Sequence, residues 1–158
     1  YKFQSFFINM ETDSQKLIIN PKIKNTYGFL ILTNGTLLIG TVSKGKKEIN
    51  FKEYINFRAK TKRRGGCSAL RFARIRKERI ANTVRFIDEN LKKIFVTDNQ
   101  LNISGLIIGG EMDIINIYLS HENQKLQIKE YISSFIELSY GGELGFYQAI
   151  AISMIYLL

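Results

Sequence analysis

In the stretch KRRGGCSALRFARIRK, residues 62–77, the chain's only cysteine, Cys67, follows the adjacent glycines Gly65 and Gly66 and stands among Lys62, Arg63, Arg64, Arg71, Arg74, Arg76 and Lys77. One chemistry these residue types allow runs through the main chain. Two glycines in a row reach backbone angles closed to other residues and let amides approach a target with no Cβ in the way. A helix beginning there adds N–H groups without intrahelical acceptors, and the positive end of its dipole, at Cys67, Ser68 and Ala69. Donors arranged in advance around developing negative charge stabilise an oxyanion. The second chemistry is nucleophilic, because cationic neighbours and a helix N-terminus favour the thiolate of Cys67. It lacks a base: the only histidine, His121, lies 54 positions away in a polar segment, and no Asp or Glu occurs within ten residues of Cys67. Covalent catalysis therefore ranks low. The third reading is a solvated helix face, which is what most charge runs are.

Placement of charge favours a polyanion over the solvated face. The net charge is +9, and the 22 residues from Arg58 to Arg79 hold ten of the 23 basic residues but one of the 14 acids, Glu78. The rest of the chain is neutral. Charge spread for solubility would not gather in this way, whereas a local positive potential suits nucleic acid, whose phosphates release counterions when neutralised. The 158 residues suffice for one domain plus part of another, and 45% apolar content can fill a core. No run approaches the roughly 20 apolar residues of a membrane span, and no secretory signal opens the chain, so a soluble, intracellular protein without a membrane partner is expected. A single cysteine and a single histidine offer neither a disulfide nor a metal cage. The chain begins at Tyr1 without Met and ends in the apolar run AISMIYLL, as expected of a piece of a longer protein.

The elements that must position these residues follow from periodicity. Runs at 28–33, 36–43 and 47–52 are rich in β-branched and aromatic residues and are separated by TNGT and SKGKK, so they predict a three-stranded meander. Residues 56–66 show no period and much charge, which predicts an exposed loop. From Ser68, the residues Ile80, Val84, Ile87, Leu91 and Ile94 recur at steps of four, three, four and three, one buried face of a helix reaching about Phe95. Arg71, Arg74, Arg76 and Lys77 then crowd first turns that project past the apolar stripe. NISGLIIGG at 102–110 predicts a central strand, IKEYISSFIELSY a helix end and then a strand at 134–140, and GGELGFYQAIAISMIYLL a closing helix. The fold class expected is α/β, a layered mixed sheet flanked by helices, with one long basic helix after an exposed Gly-Gly loop. A boundary is expected near TYG, residues 26–28, after the lone Pro21.

Other motifs carry less. SKGKKE lacks the spacing of a phosphate-binding P-loop and reads as a turn. Asp88 and Glu89 are adjacent on a helix and must diverge, which argues against a paired-carboxylate site. His121, between Ser120 and Glu122, reads as a surface residue. Gly141-Gly142 reads as a strand-to-helix turn outside the positive field.

The longer string RRGGCSALRFARIRKER resembles the signature of the eukaryotic and archaeal class I peptide chain release factors, where Gly-Gly-Gln-Ser-Ala precedes a basic helix containing Arg-Phe-Ala-Arg. GFLILTNGTLLIGTV, NISGLIIGG and ELSYGGELGFYQAI extend the likeness in the same order, over residues 28–158, the middle domain of that family. YKFQSFF at the start is similar to the end of the codon-reading domain, with Phe3 where that pattern has Cys. The resemblance implies that 25–158 form the middle domain and 1–24 a remnant of the codon-reading domain. The codon-recognition loop and the C-terminal domain that meets a class II release factor GTPase would lie outside this chain.

The implied activity is promotion of water attack on the peptidyl-tRNA ester in the ribosomal peptidyl transferase centre at stop codons, in the cytoplasm and without metal or organic cofactor. Gly65, Gly66 and residue 67 would be the catalytic tip, and Lys62, Arg63, Arg64, Ser68, Arg71 and Arg74 would contact large-subunit rRNA or the P-site tRNA. Cys67 stands where the family has Gln. Its main-chain N–H is retained, but its side chain lacks the amide donor and carbonyl acceptor that would shape the water site. Three readings of this departure stay open: a tolerated substitution, a non-hydrolytic ribosome- or RNA-binding paralogue related to the Pelota factors, and an error at this codon.

Overall fold

The computed structural model describes residues 26–57, 67–98, 100–121 and 130–157. Three consecutive strands, β1 (Thr26–Thr33), β2 (Thr36–Ser43) and β3 (Lys46–Glu53), form the antiparallel meander that the turn chemistry predicts. Asn34-Gly35 closes the first hairpin, with Thr33 opposite Thr36. Lys44 and Gly45 close the second with φ of 49° and 79°, the pair of positive angles a two-residue hairpin needs to match the strand twist. β1 is flanked on its other side by β6 (Gly105–Gly110), and β6 by β7 (Ile132–Glu137), both parallel, so the sheet runs β3-β2-β1-β6-β7. The central strands β1 and β6 are almost continuously buried, and the lysine-rich β3 forms a solvated edge, a composition that discourages edge-to-edge pairing. A two-stranded ribbon of β4 (Val96–Thr97) and β5 (Gln100–Leu101) stands apart.

Alternate residues of β1 feed two cores. Leu30 and Leu32 join Val84, Ile87, Leu91 and Phe95 of helix α1 (Cys67–Phe95) and Ile114, Ile115 and Tyr118 of α2 (Met112–Ser120). Phe29 and Ile31 face the other way, onto Phe146, Ala149 and Ile150 of α3 (Gly142–Leu157). The layers are thus two helices, sheet, one helix. Gly40 of β2 permits the α3 contact, because a Cβ there would meet the Phe146 ring at 2.6 Å and the Glu48 carbonyl oxygen at 2.9 Å. Phe29 and Phe146 meet edge to face at 5.6 Å between ring centres.

Several expectations need correction. The strand expected at 102–110 begins at Gly105, and the one expected at 134–140 is shifted to Ile132–Glu137, preceded by a short 3-10 turn at residues 130 and 131 where a helix end was expected. α2 and the β4–β5 ribbon were not anticipated. The loop expected at 56–66 starts with Phe57 buried at 1% exposure beside Ile55 at 5%, so the chain is still pinned to the core at residue 57. The remainder of that loop, and the proposed remnant 1–24, lie outside the described residues.

Candidate nucleic-acid interface

The 29 residues of α1 span about 44 Å at 1.5 Å per residue. Only its second half is held by the body. Val84, Ile87 and Leu91 are 0–1% exposed and Ile80 and Ile94 are half-buried against the same core, as the stripe predicts, whereas no described side chain before Ile80 is buried. About 20 Å of helix, Cys67 to Arg79, therefore lies outside the packed layers. Leu70 is 80% exposed and Phe72 44%. Apolar side chains left in water on a helix that builds no core there suit a partner surface better than stability.

Arg71, Arg74, Arg76, Lys77 and Arg79 are all exposed on this projecting part, and its first turn contains no acid. Among the described residues the ion pairs are Lys46 with Glu48 and Lys52 with Glu143, so no cation of α1 is paired with a described acid. Cys67 and Ser68 are the first two residues of the helix, where main-chain N–H groups have no acceptor in the preceding turn. Lys62, Arg63, Arg64, Gly65 and Gly66 lie outside the described residues. Of the nine residues singled out from sequence, four thus fall on one helical end, with Arg71 and Arg74 exposed there. Among the described residues no cluster of three or more His, Cys, Asp or Glu side chains could hold a metal ion.

What orients the helix was less visible in the sequence. Tyr118 of α2 donates its hydroxyl hydrogen to Asp88 Oδ1 of α1 at 2.7 Å, in the interior. Burial raises the Asp88 carboxyl above the ordinary carboxylate range, opposed by the Tyr118 hydrogen bond and then by the charge of His121. The Tyr118 hydroxyl is pushed well above its ordinary value by burial first and by Asp88 second. Asp88 and Glu89 do diverge, the former 8% exposed and the latter in solvent. His121, expected on the surface, is half-buried at the end of α2, with Nδ1 enclosed.

The sequence of the domain matches a known family. The family described as eRF1 domain 2 matches residues 26–157. The chain belongs to it. Among curated relatives, the eukaryotic peptide chain release factor subunit 1 of Blepharisma americanum is 35% identical over 127 residues, 80% of this chain and 29% of the relative. That of Blepharisma musculus is 33% identical over the same shares. The chain spans under a third of the length of these release factors. Among solved structures, the archaeal translation termination factor aRF1 superposes with a TM-score of 0.62 at 14% identity, over 80% of this chain and 33% of the archaeal one. At that identity the likeness speaks for the fold, a mixed five-stranded sheet between helices. Among the described residues no helix of this eRF1-type domain is long and apolar enough to cross a membrane.

Proposed function

We propose that the chain, as part of a class I release factor, promotes hydrolysis of the peptidyl-tRNA ester on stop-programmed ribosomes in the cytoplasm, with residues 25–158 as the middle domain and 1–24 as the end of the codon-reading domain. The observation that carries this is the cantilever of α1: a helical end about 20 Å long, Cys67–Arg79, that places no described side chain in the core and exposes five cations against one carboxylate, Glu78. Such an end can enter an RNA-walled cleft, and its first amides arrive at the far tip.

Gly65 and Gly66 lead the chain into α1 and let the main-chain N–H of Cys67 approach the ester closely. Water adds to the ester carbonyl carbon. The N–H stabilises the negative charge that develops on the carbonyl oxygen or on the departing 3′ oxygen. The bond from carbon to the 3′ oxygen then breaks, the peptide leaves as its carboxylic acid, and the tRNA keeps the oxygen with a proton from the attacking water. Lys62, Arg63, Arg64, Ser68, Arg71 and Arg74 hold large-subunit rRNA or the P-site tRNA acceptor end. A class II release factor GTPase would act through a further domain. No cofactor is needed, because positioning and electrostatics supply the acceleration.

Cys67 replaces the glutamine of the family pattern but keeps the amide. Release of peptide from stop-programmed ribosomes, measured with the full-length protein carrying Cys67 or Cys67→Gln, tests the reading. We expect both to release peptide, the Gln form about tenfold faster because its side chain also orders the water. Failure of both forms to release would overturn the assignment. Release by the Gln form alone would instead favour a non-hydrolytic, ribosome-binding paralogue.

A further inference from the structure

A second feature lies on the flank of the projecting helix. Arg74, Lys77, Glu78 and Ala81 share one face of α1, at i, i+3, i+4 and i+7. They border a recess of about 410 Å3 whose other wall is His121, at the C-terminal end of α2. Arg74 and Lys77 are exposed and have no ion-pair partner among the described residues. Glu78 is the one carboxylate at the recess. Nδ1 of His121 is enclosed and has no hydrogen-bond partner among the described residues. A buried N–H without an acceptor is rarer, and costs more, than a buried lone pair without a donor. Nε2 is then the ring nitrogen left to present an N–H donor to the recess.

We propose that this recess seats a backbone phosphate of RNA, held by the Arg74 guanidinium, the Lys77 ammonium and the Nε2–H of His121. Two cations and the imidazole N–H outweigh the single Glu78 carboxylate, so the recess selects an anion. The +9 excess gathered between Arg58 and Arg79 selects a polymer of phosphates over an isolated acid. The seat extends the RNA-facing surface beyond the tip, onto α2, and rests on the reading of α1 as an RNA-facing helix. It also gives the α1–α2 junction a role in binding, since a phosphate spanning both helices would resist their separation.

Fluorescence anisotropy of the chain with a fluorescein-labelled RNA hairpin, over a series of KCl concentrations, tests it. Lys77→Ala and His121→Ala should each weaken binding about three- to tenfold, and Lys77→Ala should lower the slope of log K against log salt by about one. The double variant should lose less than the product of the two, since both hold one phosphate. Lys92→Ala, at the opposite end of α1, should change binding less than about twofold. Ala81→Glu, which adds a second carboxylate to the recess without touching the core, should weaken binding about tenfold and decides the matter if His121→Ala fails to fold. Wild-type affinity in folded His121→Ala or in Ala81→Glu would overturn the seat. So would losses in Lys77→Ala no larger than in Lys92→Ala, which would show diffuse charge only, or displacement of the RNA by polyglutamate as readily as by RNA itself, which would show an acidic-peptide site. Peptide release is read separately: RNA held through the recess without any release would leave the seat standing and remove the hydrolytic reading.

Discussion

Asp88 and Tyr118 show at the scale of single residues how the fold fixes the direction of its longest helix. A buried carboxylate with one good partner is tolerated, and without it the desolvation cost stands uncompensated. Tyr118→Phe should therefore destabilise the domain by about 1–3 kcal/mol in urea unfolding, although it removes one oxygen atom. The pH dependence has a definite sign. Because burial raises the folded-state value of Asp88, the folded form holds its proton more tightly than the unfolded one. Stability from this group is fully present below the ordinary carboxylate range and is lost as pH rises through the raised value. Asp88→Asn keeps an acceptor for Tyr118 and removes the titration. Melting curves should show the variant gaining on the wild type as pH rises above the ordinary carboxylate range, the reverse of what a salt-bridged aspartate would give.

α1 is two helices in energetic terms. Past Ile80 it is a core element, and Leu91→Ala should cost about 2–5 kcal/mol. Before Ile80 it places no described side chain in the core, and Leu70→Ala, at a residue 80% exposed, should change stability by less than about 0.5 kcal/mol while weakening partner binding. Chemical denaturation of the two variants side by side checks the division. Gly40→Val should cost at least about 1–3 kcal/mol, since its side chain would collide with Phe146 and the backbone of β3. The stripe from Ile80 to Ile94 was legible in the sequence because burial on one side imposes a 3.6-residue period, and the hairpins because Asn34-Gly35 and Lys44-Gly45 are local turn chemistry. α2 was not, since MDIINIYLS is apolar on most sides and directly follows an apolar strand, so no contrast in period marks the change. Burial of Phe57 and Asp88 depends on partners far along the chain, which spacing alone does not disclose. The candidate site divides in the same way: glycines and cations announce themselves by type, while the contribution of His121 exists only once α2 lies beside α1.

Over the described residues the sheet separates two packed cores, and one helical end outside both exposes five cations. The shared core on the α1–α2 face holds the base of the projection, α3 closes the opposite face, and five of the ten basic residues between Arg58 and Arg79 stand on the helical end beyond that core. Binding to ribosomes or RNA should accordingly weaken steeply with salt, in proportion to the phosphates the projection neutralises. The central claim is that a diglycine tip on this projection delivers a main-chain donor to the ester, and the rate of single-turnover peptide release from stop-programmed ribosomes tests it most directly. With Gly66→Ala in the full-length protein, release should fall about 100-fold while ribosome binding and the melting temperature stay unchanged. An unchanged release rate in that variant would contradict the account.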